Sequence, residues 1–299
     1  MKKVFYSLLT ISLCFIIACD NDSEISQVAS DTTKRVKSGK EAIDKKTIKE
    51  FVDRIPSPMI ISSIIKDSGI DYDQTLLNSV DNESKYVIEF KQALNLGVFS
   101  TDLGYANIYE KSQDAINLLV GVKDMADNLK IGQYFEFEKI KQLSKSKDKL
   151  DELLQLTEEN LININNKLYE QDRSDLTVLI ITGGWVEVMY LATQVVQKKP
   201  NKDLEQMIAD QKIVLDQIVQ LLDYYASQSK MRDLHDELVD LQKSFEKIKF
   251  TQSEGESKQV EKEGTVVVEQ GGSEQAEMSK ETLNEITTKV AAIRNKIIS

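Results

Sequence analysis

The sequence predicts an all-α protein: a helical bundle with a heptad-patterned antiparallel helix hairpin and a C-terminal helix that packs back on the bundle. Three observations carry that expectation. Only three prolines and twelve glycines occur in 299 residues, which suits helices better than a turn-rich β fold. Apolar residues recur three and four positions apart along most of the chain, the spacing of one helix face. In the clearest stretch, Leu204, Ile208, Gln211, Leu215, Ile218, Leu222 and Tyr225 follow a strict 4,3 alternation, the heptad rhythm of paired helices.

Taken in order, Ile43, Ile48, Phe51, Val52 and Ile55 set a first helix that Pro56 and Pro58 stop. A short apolar helix over 59–66 closes at Ser68-Gly69, and 70–82 reads as a loop with one short helix near 73–77. Helical spacing resumes at 82 and runs to 128, with a break expected between Gly97 and Gly104, because so long an unbroken helix is unusual in a globular domain. Two amphipathic helices follow, over 135–143 and 148–169, joined by the lysine-rich loop 144–149. Ser174 or Asp175 can cap the next helix, 176–197, which is apolar on every side and belongs in the middle of a bundle. After the heptad run, the polar break Ser227-Gln228-Ser229 leads into Leu234, Leu238, Leu241, Phe245 and Ile248, again 4,3 spaced. Two heptad helices joined by a short turn make an antiparallel hairpin. Residues 251–278 read as a polar linker with a β-prone island at Val266-Val267-Val268. Ser279 can cap a final helix whose stripe is Leu283, Ile286, Val290, Ile293 and Ile297.

The N-terminus carries a different signal. Met1-Lys2-Lys3 is a short basic start, and 4–18 is an uncharged apolar run ending in Ile16-Ile17-Ala18-Cys19. The run is short for a bilayer span of about 20 residues, and its flanks fit an export signal. Branched aliphatics, a small residue and then cysteine resemble the lipobox of bacterial lipoproteins, which implies lipidation at Cys19. Anchoring then rests on acyl chains, each buried methylene contributing about 0.8 kcal/mol. An ordinary secretory peptide with Cys19 incidental is the alternative. The domain plan is therefore a signal peptide at 1–18, a flexible acidic tether at 19–40, the bundle at 41–250, the linker at 251–278 and the last helix at 279–299. Cleavage would leave 281 residues and a single cysteine, so no intrachain disulfide can form.

Formal net charge is −11, or −13 once Lys2 and Lys3 are removed. A chain this acidic, with no basic stripe, repels phosphate backbones, so nucleic acid is not an expected partner. The expected contacts are the membrane, through N-terminal acyl chains, and an envelope protein that the sequence does not identify. No cofactor or metal is expected: His235 is the only histidine, no Glu-x-x-His pair exists, and no base and nucleophile pair up for covalent catalysis. His235 lies off the heptad seam and reads as an exposed surface histidine. Gly183-Gly184 lacks the lysine and hydroxyl of a phosphate loop, and close helix packing is the simpler use of it.

The unusual feature is polar residues inside segments that otherwise read as buried. Asp102, Tyr105 and Tyr109 share one helix face, and Glu187 is the only charge between 176 and 196, with Trp185 beside it. A carboxylate carried into a core must find donors or take up a proton. Asp102 and Glu187 could meet tyrosine hydroxyls across the bundle and line a small polar pocket with Trp185, or form a structural network that fixes helix register. The 176–196 run could also be taken for a membrane span, but Glu187, Gln194, three threonines and two glycines weaken it.

The segments ISSIIKDSG (61–69), VDNESKY (80–86), FKQALNLGVFSTDLGYANIYEKSQDAINLL (90–119) and LIITGGWVEVMYLATQ (179–194) resemble those of an uncharacterised all-helical lipoprotein family of Bacteroidota. The resemblance covers about 45–298 and is weakest over 251–278. It implies an all-α domain, a diderm envelope and outer-membrane attachment on an unspecified face, and it carries over no catalytic residue. The function expected from all this is that of a non-enzymatic, lipid-anchored binding or structural module of the cell envelope. The alternative is a carrier or sensor holding a small ligand among Asp102, Tyr105, Tyr109, Trp185 and Glu187.

Overall fold

The structure is a computed structural model that describes residues 58–146, 149–252, 258–262, 265–269 and 274–299. The export signal, Cys19, the tether and the helix expected over 43–55 lie outside the described residues. Nine α-helices occur among the described residues, in the all-α bundle that the periodicity predicts.

Helix α1 spans Pro58–Asp67. It ends at Gly69, which takes the left-handed φ of +70° while its N–H bonds the Lys66 carbonyl. The loop beyond holds two 3-10 turns, Gln74–Leu76 and Val80–Lys85, capped by the side chains of Asp73 and Ser79. Then come α2 (Glu89–Ile108), α3 (Ser112–Asn128), α4 (Phe137–Leu143), α5 (Leu150–Glu170) and α6 (Ser174–Lys198).

The break expected between Gly97 and Gly104 is not there. Helix α2 runs through both glycines, and the chain turns at 109–111 instead. Glu110 takes a φ of +56° and Lys111 N–H reaches back to the Ala106 carbonyl. The same closure recurs at Lys130 (φ 61°) with Ile131 bonding Ala126, and at Asp172 (φ 60°) with Arg173 bonding Leu168. Each is a Schellman-type stop made without glycine, so no breaker residue marks it in the sequence. The third one also shifts the start of α6: the helix begins at Ser174 itself, and neither Ser174 nor Asp175 precedes it as a cap.

Gly97 breaks nothing because it serves a contact. A methyl group there would collide with the Ile180 carbonyl, and one on Gly183 would collide with the Leu94 carbonyl. The two glycines let α2 and α6 cross with their backbones touching, and Thr101 Oγ1 donates across the crossing to the Gly184 carbonyl at 3.2 Å. Helix α6 is buried on all sides. Among the described residues it alone is long and apolar enough to cross a membrane, and 89% of its most apolar window lies inside the bundle.

Helices α7 (Lys202–Tyr224) and α8 (Ser229–Phe245) form the heptad hairpin. Asp216 meets Gln242 at 2.5 Å and Asp223 meets His235 at 3.9 Å, pairs whose numbers run in opposite directions, as antiparallel helices require. Leu204, Ile208, Leu215, Ile218, Leu222, Leu238, Leu241 and Phe245 are all buried, each contributing about 1.5–3 kcal/mol of burial. The seam is thus filled from within the chain. His235 is not an exposed surface residue: its side chain keeps 17% of its exposure, between Asp223 and Asp236.

The stretch expected to be a polar linker with a β-prone island holds, with the two residues before it, four strands among the described residues. β1 (Lys249–Gln252) pairs antiparallel with β4 (Glu274–Glu277), and β2 (Lys258–Lys262) pairs with β3 (Thr265–Glu269), which holds Val266–Val268. Gln206 of α7 accepts from the Ala276 N–H and ties β4 to the bundle. Helix α9 (Lys280–Ile298), capped by Ser279, then buries Leu283, Ile286, Val290, Ile293 and Ile297 against α6, α8 and α2. Its last carbonyls are held by α2 and the turn before it: Lys91 Nζ reaches Ile297 O at 3.2 Å, Asn95 Nδ2 the same oxygen at 3.0 Å, and Tyr86 Oη reaches Ile298 O at 3.1 Å.

Candidate functional site

The glycine crossing sets α2 and α6 so close that Asp102, just past Gly97, and Glu187, one turn past Gly183, face each other. Both are 0% exposed. The third member arrives from α9. Arg294 is 6% exposed and grips Glu187 with two bonds, Nε to Oε2 and Nη2 to Oε1, each 3.0 Å. Nη2 also donates to the Leu76 carbonyl at 3.0 Å. Its guanidinium lies over the Tyr190 ring, 4.5 Å from the centroid, a cation–π contact that steadies the charge. On the other side, Asn78 N–H donates to Asp102 Oδ2 at 2.9 Å, while Asn78 Nδ2 reaches Tyr86 Oη at 3.1 Å and Asn95 Oδ1 at 3.3 Å.

Charge decides the protonation. Two carboxylates against one guanidinium would leave a net negative charge sealed in the core, which costs several kcal/mol. Among the described residues Asp102 Oδ1 meets no donor, and the Asp102 and Glu187 carboxyl groups stand within hydrogen-bond reach of each other. Two facing carboxyl groups bond only if one carries the proton. Burial first, and the Glu187 charge second, push Asp102 well above the ordinary carboxylate range, against the pull of Asn78 N–H and Arg294. Burial also raises Glu187, but its guanidinium partner opposes the rise. For Arg294, burial works against the charge and Glu187 more than offsets it, so its pKa moves up. Of the two acids, Asp102, the one without the guanidinium, is therefore the one driven more strongly toward the protonated form. With Asp102 protonated, the triad is neutral overall.

The five residues singled out in the sequence stand in three places. Asp102 and Glu187 come together. Tyr105 and Tyr109 do not reach the carboxyl groups: their rings lie 4.8 Å apart and Tyr105 stacks on Tyr72 at 5.3 Å. Tyr105 Oη accepts from Asp73 N–H at 3.3 Å, and Tyr109 Oη donates to the Ile70 carbonyl at 2.8 Å, so this pair fastens the 70–73 loop. Trp185 points to α7, where Nε1 donates to Gln211 Oε1 at 3.1 Å. Sequence reasoning missed Arg294 and Asn78. Arg294 did leave a trace: it lies four residues after Val290 and three before Ile297, inside the buried stripe of α9. Asn78, in an irregular loop, left none.

Among the described residues no three His, Cys, Asp or Glu side chains gather where they could hold a metal ion. Asp102, Glu187 and Arg294 are closed to solvent, so what they do chemically is hold one another, joining α2, α6, α9 and the 76–78 turn. The chain matches no protein-family model, no curated protein and no solved structure.

Proposed function

We propose that the protein is a non-enzymatic structural module of the bacterial cell envelope, attached to the outer membrane through acyl chains on Cys19. The observation that best supports a structural role is that the buried polar groups are spent on each other. Asp102, Glu187 and Arg294 satisfy their own charges and pin the last helix to the central one. A carrier lined by Asp102, Tyr105, Tyr109, Trp185 and Glu187 draws less support, because the carboxyl pair, the tyrosine pair and Trp185 stand in three places and face different neighbours. The attachment rests on the basic start, apolar run and Ala18-Cys19 pattern of the sequence.

The test is expression in a diderm host with a radiolabelled or clickable fatty acid, followed by fractionation and intact mass. Wild type should take up label, gain the mass of a diacylglyceryl group and sediment with outer membranes. Cys19→Ser should lose all three properties while its folded part keeps the same helical circular dichroism. Label, mass and sedimentation that are indifferent to Cys19→Ser would sink the attachment.

A further inference from the structure

β4 is tied to α7 through Gln206, whereas β2 and β3 pack chiefly on each other. They form a two-stranded sheet, and among the described residues no other strand is bonded to either of its edges. An isolated two-stranded ribbon is marginal in water, and a third strand or a helix beneath it is normally needed. Each open edge also carries a row of backbone N–H and C=O groups ready to pair with another strand.

The two edges differ in what their sequences permit. β2 reads Lys258-Gln259-Val260-Glu261-Lys262, three charges in five residues, the composition that blunts an edge. β3 reads Thr265-Val266-Val267-Val268-Glu269, with a single charge at its end and three consecutive strand-favouring valines. Two copies related by a two-fold axis align an edge antiparallel to itself. Centred on Val260, β2 would set Lys258 opposite Lys262 twice, like charges directly opposed, which is destabilising. Centred on Val267, β3 sets Thr265 opposite Glu269 and Val266 opposite Val268, with no like charges in register.

We propose that the β3 edge is a self-association surface, on which a second copy of this chain pairs β3 antiparallel to β3 about Val267. The joined sheet runs β2-β3-β3-β2, four strands where each copy alone has two. Both of its outer edges are β2, whose lysines and glutamate discourage a further strand, so the assembly closes at two copies. The inference goes beyond the structural role proposed above and requires no acylation at Cys19.

The experiment uses the full chain in detergent, with micelles in excess over protein. Val267→Cys and Val260→Cys are each oxidised and run on non-reducing gels beside the parent chain. Val267→Cys should give a disulfide-linked dimer, because directly opposed residues of antiparallel strands stand about 4.5–5.5 Å apart, within disulfide reach. Val260→Cys should behave like the parent. Charge at position 265 then tests the register by sedimentation equilibrium. Within one copy Thr265 is the partner of Lys262, whereas in the dimer it stands opposite Glu269 of the second copy. Thr265→Glu should therefore suit the hairpin yet weaken the dimer about fivefold, through two symmetric cross-strand pairs. Thr265→Lys should tighten the dimer by a similar factor, although it sets like charges opposite each other within the hairpin. Helical circular dichroism should be unchanged in every variant. A chain that stays monomeric over the whole concentration series, crosslinking through 260 as efficient as through 267, or a dimer that ignores the charge at 265 or follows it in the opposite sense overturns the proposal.

Discussion

Helices α7 and α8 meet through leucines and isoleucines; α6 and α9 meet around Glu187 and Arg294. Both seams follow a 3–4 residue rhythm, yet they rest on different physics. The hairpin seam is non-directional: each side chain gains by leaving water, and a shifted register still buries apolar surface. The α6–α9 seam is directional. Arg294 satisfies Glu187 in one geometry only, with two bonds of 3.0 Å, and a slip of one turn would leave a charge unpaired in the core. The comparison teaches that the apolar seam supplies stability while the polar one selects where the last helix sits. That fits the known hierarchy, in which a buried ion pair adds little net energy but is costly to half-remove.

The strongest way to break this contrast is Arg294→Met. It should cost about 3–5 kcal/mol in urea unfolding, because Glu187 stays behind unpaired. Adding Glu187→Met should restore much of that loss, with a coupling of about 1–3 kcal/mol. A double variant as unstable as the sum of the singles would mean that the seam is not an ion pair.

Next in size is the bed on which the triad lies. Gly183→Ala sets a methyl group against the Leu94 carbonyl and should cost about 1–3 kcal/mol, while prising Asp102 from Glu187. Thermal melts that leave this variant at the wild-type midpoint would remove the close crossing from the account.

A pH titration then sharpens the contrast between core and surface. Asp102 titrates well above its ordinary value in the fold, so folding takes up a proton once the pH passes about 4, the unfolded value. The stabilisation is complete below that point and drains as pH rises toward the folded value, by up to about 1.4 kcal/mol per pH unit. Asp102→Asn should flatten that slope. Surface carboxylates bend the other way: Lys198 holds Asp73, and Lys247 holds Glu285, at about 2. Their contribution is present above their unfolded values and fades as the pH falls toward 2. Parallel wild-type and Asp102→Asn curves above pH 5 would contradict the shared proton.

The smallest effect belongs to the hairpin. Ile218→Val should cost about 0.5–1.5 kcal/mol without altering any pH slope. A change of slope in that variant would show that the hairpin seam is coupled to the buried triad.

Much of this was legible in the sequence. The heptad spacing from Leu204 to Ile248 located the hairpin, the stripe from Leu283 to Ile297 predicted that α9 packs back, and the all-apolar run around Glu187 identified the central helix. The helix stops were harder, because Glu110, Lys130 and Asp172 adopt the left-handed turn that glycine usually signals. Gly97 misled in the opposite sense, since a glycine can serve a close crossing as readily as a break. Lone Glu187 and Asp102 announced that a partner was needed, but Tyr105, Tyr109 and Trp185 were the nearest in sequence and not the nearest in space.

Periodicity is a local property: each turn repeats the same step, so the chain alone determined that these segments are helices and which face each one buries. Pairing is not local. Leu76, Asn78, Asp102, Glu187 and Arg294 are scattered over more than two hundred residues, and no spacing rule links them. Only the packed bundle decided that a guanidinium from the last helix reaches the acid of the central one, because burial makes any unmatched charge there too costly to keep.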